Sequence, residues 1–300
     1  MAKPKVVILG CTGMLGSMVL DSFVKSDEFA VTATYRNSKE ATLLKHKYPT
    51  VNFCKYDAEK ASLKGILDVI KGAKWVVNAI GITKPYIHDD NAGEIKRAIR
   101  VNACFPHLLA QAAKVTNTKV IQIATDCVYS GQKGRYVETD AHDAWDVYGK
   151  TKSLGEVFTD NIHHLRCSII GPEPKGHHSL LDWFLGQPKG ARVNGFMNHK
   201  WNGVTTVHFA RICAGIIKKD LTLPHVQHIV PAGSMSKATL LKRIAKAYNR
   251  RDLTIRMVNA ATSIDRTLST NNETLNRKLW QLAGYDRPPT IAEMIKELAG

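Results

Sequence analysis

Hydrophobic positions in the first half of the chain fall into short, β-branched runs separated by stretches in which apolar residues recur at helical spacing. Lys5-Val6-Val7-Ile8-Leu9 has the character of a strand buried on both faces of a parallel sheet. Residues 17–24 then carry apolar positions on one helical face. Further strand-like runs follow at residues 30–35, 51–56, 75–81, 119–124 and 164–171, and residues 94–115 read as one long helix. Strand and helix in strict alternation predict an α/β fold, a doubly wound parallel sheet with right-handed crossovers.

Beyond residue 171 the alternation weakens. Pro172-Glu173-Pro174-Lys175-Gly176 is punctuated like a loop. Residues 179–185 read as a short helix, 200–203 as a turn, 204–219 as a helix and 226–230 as a strand. A helix over 237–248, a strand over 253–258 and a last helix near 290–298 complete the pattern. The organisation expected is a nucleotide-binding domain over 1–171 and a smaller, mainly substrate-binding α/β lobe over 172–300, some of whose segments return to the main sheet. The cleft between them is the default substrate site.

The first strand runs into Gly10-Cys11-Thr12-Gly13-Met14-Leu15-Gly16 and then a helix. In that context a glycine-rich turn is a phosphate-binding candidate, since a helix N-terminus presents unpaired N–H groups to an anion. Gly10 permits the tight turn, Gly13 lets backbone approach a pyrophosphate, and Gly16 lets the helix pack on the strand. Thr12, Met14 and Leu15 complete this candidate cradle. The spacing is Gly-x-x-Gly-x-x-Gly, not the Gly-x-Gly-x-x-Gly of the original dinucleotide fingerprint. The second strand ends at Arg36, where an NAD-preferring protein carries an acidic residue about 20 residues beyond the glycines. A guanidinium suits a 2′-phosphate, so NADP(H) is expected in preference to NAD(H). The small residues Ala79 and Gly81, closing the fourth run, leave room for a flat cofactor at the sheet's carboxyl edge.

Tyr148 and Lys152 are four apart and share a helix face. A free phenol titrates near about 10, and a neighbouring ammonium favours its ionised form. Such a pair suits proton transfer to or from a carbonyl or alcohol oxygen. The glycine turn, Ala124-Thr125-Asp126-Cys127-Val128-Tyr129-Ser130-Gly131 and Tyr148-Gly149-Lys150-Thr151-Lys152 stand in that order. Together they resemble the extended short-chain dehydrogenases/reductases, in particular the dTDP-4-dehydrorhamnose reductase branch. The resemblance covers nearly the whole chain and is strongest over residues 5–170.

The resemblance implies a Rossmann-like fold and specific roles. Tyr148 would be the general acid in reduction. Lys152 would lower its pKa and bind the nicotinamide ribose, and Thr125 would hydrogen-bond the reacting oxygen. Asn102 and Asp57 would serve the cofactor, Asp57 on the adenine side. The substrate implied is a 4-keto nucleotide-diphosphate sugar, an intermediate of deoxysugar and surface-polysaccharide precursor biosynthesis. Lys84, Asp126, Arg166, Lys200, Trp201 and Arg266 are candidates to hold it, since a diphosphate needs cations and a base needs a flat face. Asn202-Gly203-Val204-Thr205-Thr206 resembles the family's substrate-domain turn, but Val204 replaces its usual Pro. Related reductases form dimers, some metal-bridged; a homodimer is allowed, and no residue here is assigned to a metal.

Composition narrows the setting. The six cysteines are scattered without a Cys-x-x-Cys pair, which fits a reducing cytoplasm and not a zinc site. The doublets His163-His164 and His177-His178 read as surface features. No run is long enough to span a membrane, and Met-Ala-Lys-Pro-Lys lacks a signal peptide's apolar segment. The net charge of +16 attracts polyanions, but the lysines are dispersed and no nucleic-acid module is present, so no specific nucleic-acid partner is expected. Two alternatives remain. One is a sugar-nucleotide epimerase or dehydratase on the same scaffold. A 4,6-dehydratase generally carries an acidic pair after its Thr, where this chain has Asp126-Cys127. The other is a nonenzymatic NADP-binding subunit, because the regulatory subunit of methionine adenosyltransferase is similar in fold.

Overall fold

The computed structural model describes residues 2–300. The first six strands are β1 (Lys5–Leu9), β2 (Ala30–Tyr35), β3 (Asn52–Lys55), β4 (Trp75–Asn78), β5 (Lys119–Thr125) and β6 (Ile162–Cys167). They lie in the order β3-β2-β1-β4-β5-β6, every neighbouring pair parallel. This is the expected Rossmann-like α/β sheet. Its order reverses between β1 and β4, the point at which open sheets of this kind bind ligands outside the strands' carboxyl ends.

Alternation along each strand divides the core. Val6, Ile8, Val31, Ala33 and Leu165 point to one face, and Val7, Leu9, Val76 and Val120 to the other. Helices α1 (Met14–Ser26), α2 (Ser38–Lys47), α3 (Leu63–Ile70), α4 (Ala92–Ala98) and α5 (Phe105–Thr116) fill the crossovers. Of these, α3 and α5 cover the second face. The segment read as one helix over 94–115 does run from α4 into α5, but the six residues between, Ile99–Cys104, form a π-helical turn. Ser62 caps α3 by accepting the Gly65 N–H, and left-handed Asn117 closes α5. The next helix, α6 (Val147–Leu154), starts at Asp146, whose carboxylate accepts the Gly149 N–H at 2.8 Å.

Several boundaries differ from the sequence reading. The sixth run begins earlier and divides: β6 contains His163 and His164, both buried, so that doublet is interior and not a surface feature. Its remainder, β7 (Ile169–Ile170), leaves the sheet. After α7 (Leu180–Leu185) and β8 (Arg192–Phe196), residues 199–201 form strand β9 (His199–Trp201), where a turn was expected. Val204-Thr205 is β10 (Val204–Thr205), paired with β7, so α8 (Thr206–Lys219) begins only when the Thr205 hydroxyl accepts the His208 N–H. α8 packs against α1 on the first face, and β11 (Val226–His228) joins β6 as the sheet's seventh strand. The later elements are β12 (Met235–Ser236), α9 (Lys237–Ala247), β13 (Thr254–Val258), β14 (Ile264–Asp265), α10 (Glu273–Leu282) and α11 (Ile291–Ala299). β8 and β13 pair in parallel beneath α9, while β9 lies between β12 and β14. Among the described residues, no helix is long and apolar enough to cross a membrane.

The turn after β1 shows how tightly sequence and packing are coupled. Gly10 has φ +83°, a left-handed conformation, and a Cβ on Gly16 would lie 2.1 Å from the Gly10 carbonyl oxygen. The atoms nearest that Cβ are all backbone, so a side chain here displaces α1 from the sheet. Gly16→Ala is expected to destabilise the fold by about 1–3 kcal/mol or more. Equilibrium urea unfolding measures it; an unchanged midpoint contradicts the contact.

Candidate active site

Six strand ends converge on one edge of the sheet. After β1, Gly10 donates its N–H to the Thr34 hydroxyl, and Gly13 donates its own to the Gly10 carbonyl. Gly13 is the N-cap of α1 and supplies no side-chain cap, so the first-turn N–H groups face that edge without a side-chain acceptor. A Cβ on Gly13 would approach only the Gly10 oxygen, at 3.6 Å. Thr12, Met14 and Leu15 lie within this turn, with Leu15 buried beneath it. Arg36 is exposed at the end of β2. Asp57 lies two residues beyond β3, and its carboxylate accepts the Glu59 N–H and caps a short 3-10 turn. Ala79 and Gly81 leave β4 opposite the glycine turn, Ala79 donating its N–H to Leu9. A backbone anion cradle faced by small residues, with a free-standing guanidinium at the adenosine end, fits a dinucleotide phosphate.

The catalytic candidates meet beside this cradle. Thr125 is the last residue of β5, and its hydroxyl accepts the Cys127 N–H at 3.2 Å. Tyr148 stands in the first turn of α6. Burial pushes its phenol well above the ordinary value, with the charges of Cys127, Asp126 and Asp146 adding to the effect and the Thr125 hydroxyl opposing it. Lys152 is buried on the same helix, donates to the Ile123 carbonyl at 3.1 Å, and is lowered to about 8 by burial. A Cβ on Gly81 would come within 4.0 Å of the Lys152 ammonium. The expectation that Lys152 depresses the Tyr148 pKa is therefore corrected for this state. The ammonium turns to a backbone carbonyl, desolvation dominates, and the phenol keeps its proton.

Asn102 was expected to bind cofactor directly, but its amide is already committed. Its oxygen accepts the Ile82 N–H at 2.8 Å, and its nitrogen donates to the Ile82 carbonyl at 3.0 Å and to the Thr151 hydroxyl at 3.3 Å. Lying in the π-helical turn, it ties the β4 exit to α6 and acts as a positioning residue.

The substrate candidates separate. Asp126 is buried next to Thr125; desolvation raises its pKa, and the charges of Arg266 and Lys237 oppose the rise. Arg266 follows β14 and donates its Nε–H to the Tyr129 carbonyl at 2.7 Å. Lys84 pairs with Asp146 at 2.6 Å and so steadies the cap of α6. Lys200 is exposed on β9. Trp201, expected to offer a flat face, is 3% exposed, and its indole N–H donates to the Ser168 hydroxyl. Arg166 is also corrected. It is fully buried, and its guanidinium is engaged by Glu156, Tyr129, His228 and His142, which leaves no donor for a phosphate. The sequence reading did not single out Lys237, the first residue of α9; only its position beside β9 in the folded chain reveals it.

Residues 4–171 match the family described as the RmlD substrate binding domain. The chain belongs to this family. It is 29% identical over 154 residues to a dTDP-4-dehydrorhamnose reductase of Aggregatibacter actinomycetemcomitans, an alignment covering 51% of this chain and 45% of that one. It is 24% identical over 256 residues to methionine adenosyltransferase 2 subunit beta of Rattus norvegicus, covering 82% of this chain and 72% of the relative. Among solved structures, dTDP-4-dehydrorhamnose reductase of Bacillus anthracis in complex with NADP superposes with a TM-score of 0.75 at 18% identity over 99% of each chain. UDP-glucuronic acid 4-epimerase of Bacillus cereus, in complex with UDP-glucuronic acid and NAD, superposes with 0.74 at 17% over 98% of each. The structural likeness is one of fold. The family match places the chain among sugar-nucleotide reductase-like members of the extended short-chain dehydrogenases/reductases.

The Arg166 cluster carries a pH signature. His164 and His228 are each lowered to about 4 from 6.5, chiefly by burial, so the unfolded chain binds protons that the folded chain refuses. Their contribution to stability is complete above pH 6.5 and is lost as pH falls towards 4. Glu156, held low by Arg166 against its desolvation, loses its contribution at still lower pH. Urea unfolding across this range is expected to show stability falling between pH 6.5 and 4, and a flat profile contradicts the assignment.

Proposed function

We propose that this protein is an NADP(H)-dependent reductase of a 4-keto nucleotide-diphosphate sugar, acting in deoxysugar precursor synthesis. The observation that carries the reading is the meeting of Thr125, Tyr148 and Lys152 beside the glycine cradle, at the point where the sheet order reverses. The dinucleotide, held by the Gly10–Gly16 turn, Arg36, Ala79 and Gly81, supplies the hydride when bound. This chain's residues manage the oxygen. Thr125 and Tyr148 offer hydroxyl donors to the substrate carbonyl, and charge growing on that oxygen draws the Tyr148 proton across. Because the phenol is held protonated, it enters the reaction as an acid, the form that reduction requires. The Lys152 ammonium, one turn further along the same helix, would balance the phenolate left behind.

An epimerase of the same fold keeps its dinucleotide through the cycle, whereas a reductase consumes it. Exposed Arg36 and the lack of an acidic residue at the end of β2 favour the phosphorylated, exchangeable cofactor. A second reading is favoured by one finding: the alignment with a subunit of methionine adenosyltransferase covers more of this chain than that with the reductase. In that reading the fold binds a dinucleotide and docks on a partner enzyme without turnover. The intact Thr125, Tyr148 and Lys152 constellation supports the reductase.

Tyr148→Phe is expected to reduce NADPH oxidation by a 4-keto sugar nucleotide about 10²–10⁴-fold while NADPH affinity is retained. Wild-type product formation without net NADPH consumption would point to an epimerase, and no turnover with any 4-keto sugar nucleotide would point to the subunit. Arg36→Ala is expected to lower kcat/KM with NADPH by about tenfold or more while leaving NADH little changed. An unaltered NADPH/NADH ratio removes Arg36 from the 2′-phosphate site.

A further inference from the structure

Lys237 puts a cation where the helix dipole does not favour one. It is the first residue of α9, at the positive end of the helix dipole, and no acidic residue stands in that first turn. Ser236, the N-cap, already serves the helix by accepting the Thr239 N–H at 3.1 Å. The residue is half-buried, and among the described residues its ammonium forms neither a hydrogen bond nor an ion pair. It lies 5.8 Å from the centre of the Trp201 ring. Burial lowers its pKa, with the Asp126 and Cys127 charges opposing and Arg266 reinforcing the shift.

The small sheet explains how these groups come together. β9 is flanked by β12, antiparallel, with Met235 opposite Trp201, and by β14, parallel, with Ile264 opposite His199. Residues opposite one another project to the same face, and so do residues two apart. Arg266, following Asp265, continues β14 at the level of Trp201, and Lys237 follows Ser236 on the other flank. Two cations from sequence segments far apart are thus brought to the Trp201 face. Both act on Asp126, the residue next to catalytic Thr125. The Nε–H of Arg266 is used by Tyr129, while its terminal nitrogens have no acceptor among the described residues.

We propose that Lys237, together with Arg266, forms a receptor for an anionic oxygen group of the substrate, anchoring it beside Thr125 and Tyr148. The inference rests on the nucleotide-sugar reading of the same site and adds Lys237 as a residue that determines specificity. Asp126 is the acidic group that faces both cations, and burial pushes it towards its uncharged form. The ligand chemistry, a cluster of anionic oxygens, has two sources in a nucleotide sugar: the diphosphate, or a carboxylate on the sugar ring.

The test is calorimetric binding of UDP-glucose, UDP-glucuronate and inorganic pyrophosphate to the NADP-loaded protein, comparing wild type with Lys237→Met and Lys237→Arg. Lys237→Met keeps the apolar stem and removes the charge. It is expected to weaken anion binding at least about tenfold, equivalent to about 1.4 kcal/mol, while Lys237→Arg largely preserves it. NADP affinity and thermal midpoint should be unchanged in both variants. Equal losses for the two nucleotide sugars assign the receptor to the diphosphate, and a loss confined to UDP-glucuronate assigns it to a sugar carboxylate. Unchanged binding of all three probes in Lys237→Met overturns the proposal. If wild type binds pyrophosphate through Lys237 but neither nucleotide sugar, the receptor stands and the nucleotide-sugar reading falls. If it binds none of the three, the receptor falls as well.

Discussion

The contact on which the site depends is the one between Asn102 and its two neighbours. A Cβ on Gly155 would lie 1.9 Å from the Asn102 carbonyl oxygen, so the end of α6 is pressed against the π-helical turn with no room for a side chain. The Asn102 amide then reaches both ways, to the Ile82 backbone beyond β4 and to Thr151 inside α6. Three separate elements are fixed at one point: the strand exit that lines the cofactor groove, the long helical rod and the helix carrying Tyr148 and Lys152. A π turn places an extra residue in the rod, and here that distortion turns an amide inward to make the tie. The distance from the groove to the phenol is therefore set by a buried, fully bonded side-chain amide and not by exposed, flexible side chains.

That rigidity gives the electrostatics their meaning. Tyr148 and Lys152 are shifted in opposite directions by the same cause, loss of water, and each is pushed towards its neutral form. A phenol so held is a poor base but keeps the proton that a developing alkoxide needs. Lys152, lowered to about 8, stays largely charged at neutral pH yet is within reach of deprotonation. Lys84 contributes at one remove, because its pairing with Asp146 holds the carboxylate that caps α6. In the proposed reaction the residues thus divide into groups that would meet the reacting oxygen and groups that fix where those groups stand.

The parallel sheet was legible because its strands are continuous apolar runs, a pattern that survives without knowledge of neighbours. β1 and β2 have the boundaries read from the sequence, and the glycine turn behaves as its spacing implies, down to the positive φ of Gly10. Legibility failed where a role depends on what lies across the fold. Arg166 looks like any strand-end cation until Glu156, Tyr129, His142 and His228 are seen to surround it. Trp201 reads as a stacking surface, yet pairing with β12 and β14 buries it. Lys237 opens an ordinary amphipathic helix, and nothing local distinguishes it from the lysines on the same helix that face water. Short strands such as β9 and β14 exist only because they pair, and a residue's own propensity carries little of that information.

The choice between reductase and subunit turns on the same division. A fold that only binds a dinucleotide needs the glycine cradle and the strand exits; it does not need a phenol kept protonated beside a threonine hydroxyl, nor a lysine buried at the cost of its hydration. Burying Lys152 is unfavourable for folding, since its ammonium has lost water, and the one carbonyl that it meets is incomplete compensation. Arg166 and Glu156 show what this chain does with buried charge when structure is the only demand: it pairs the ions directly and surrounds them with donors and acceptors. Helix α6 departs from that pattern. Ionisable groups left incompletely satisfied at a sheet's carboxyl edge are the arrangement to expect when a ligand completes them, and it is there that the chain carries both the Tyr148 phenol and the unpaired Lys237.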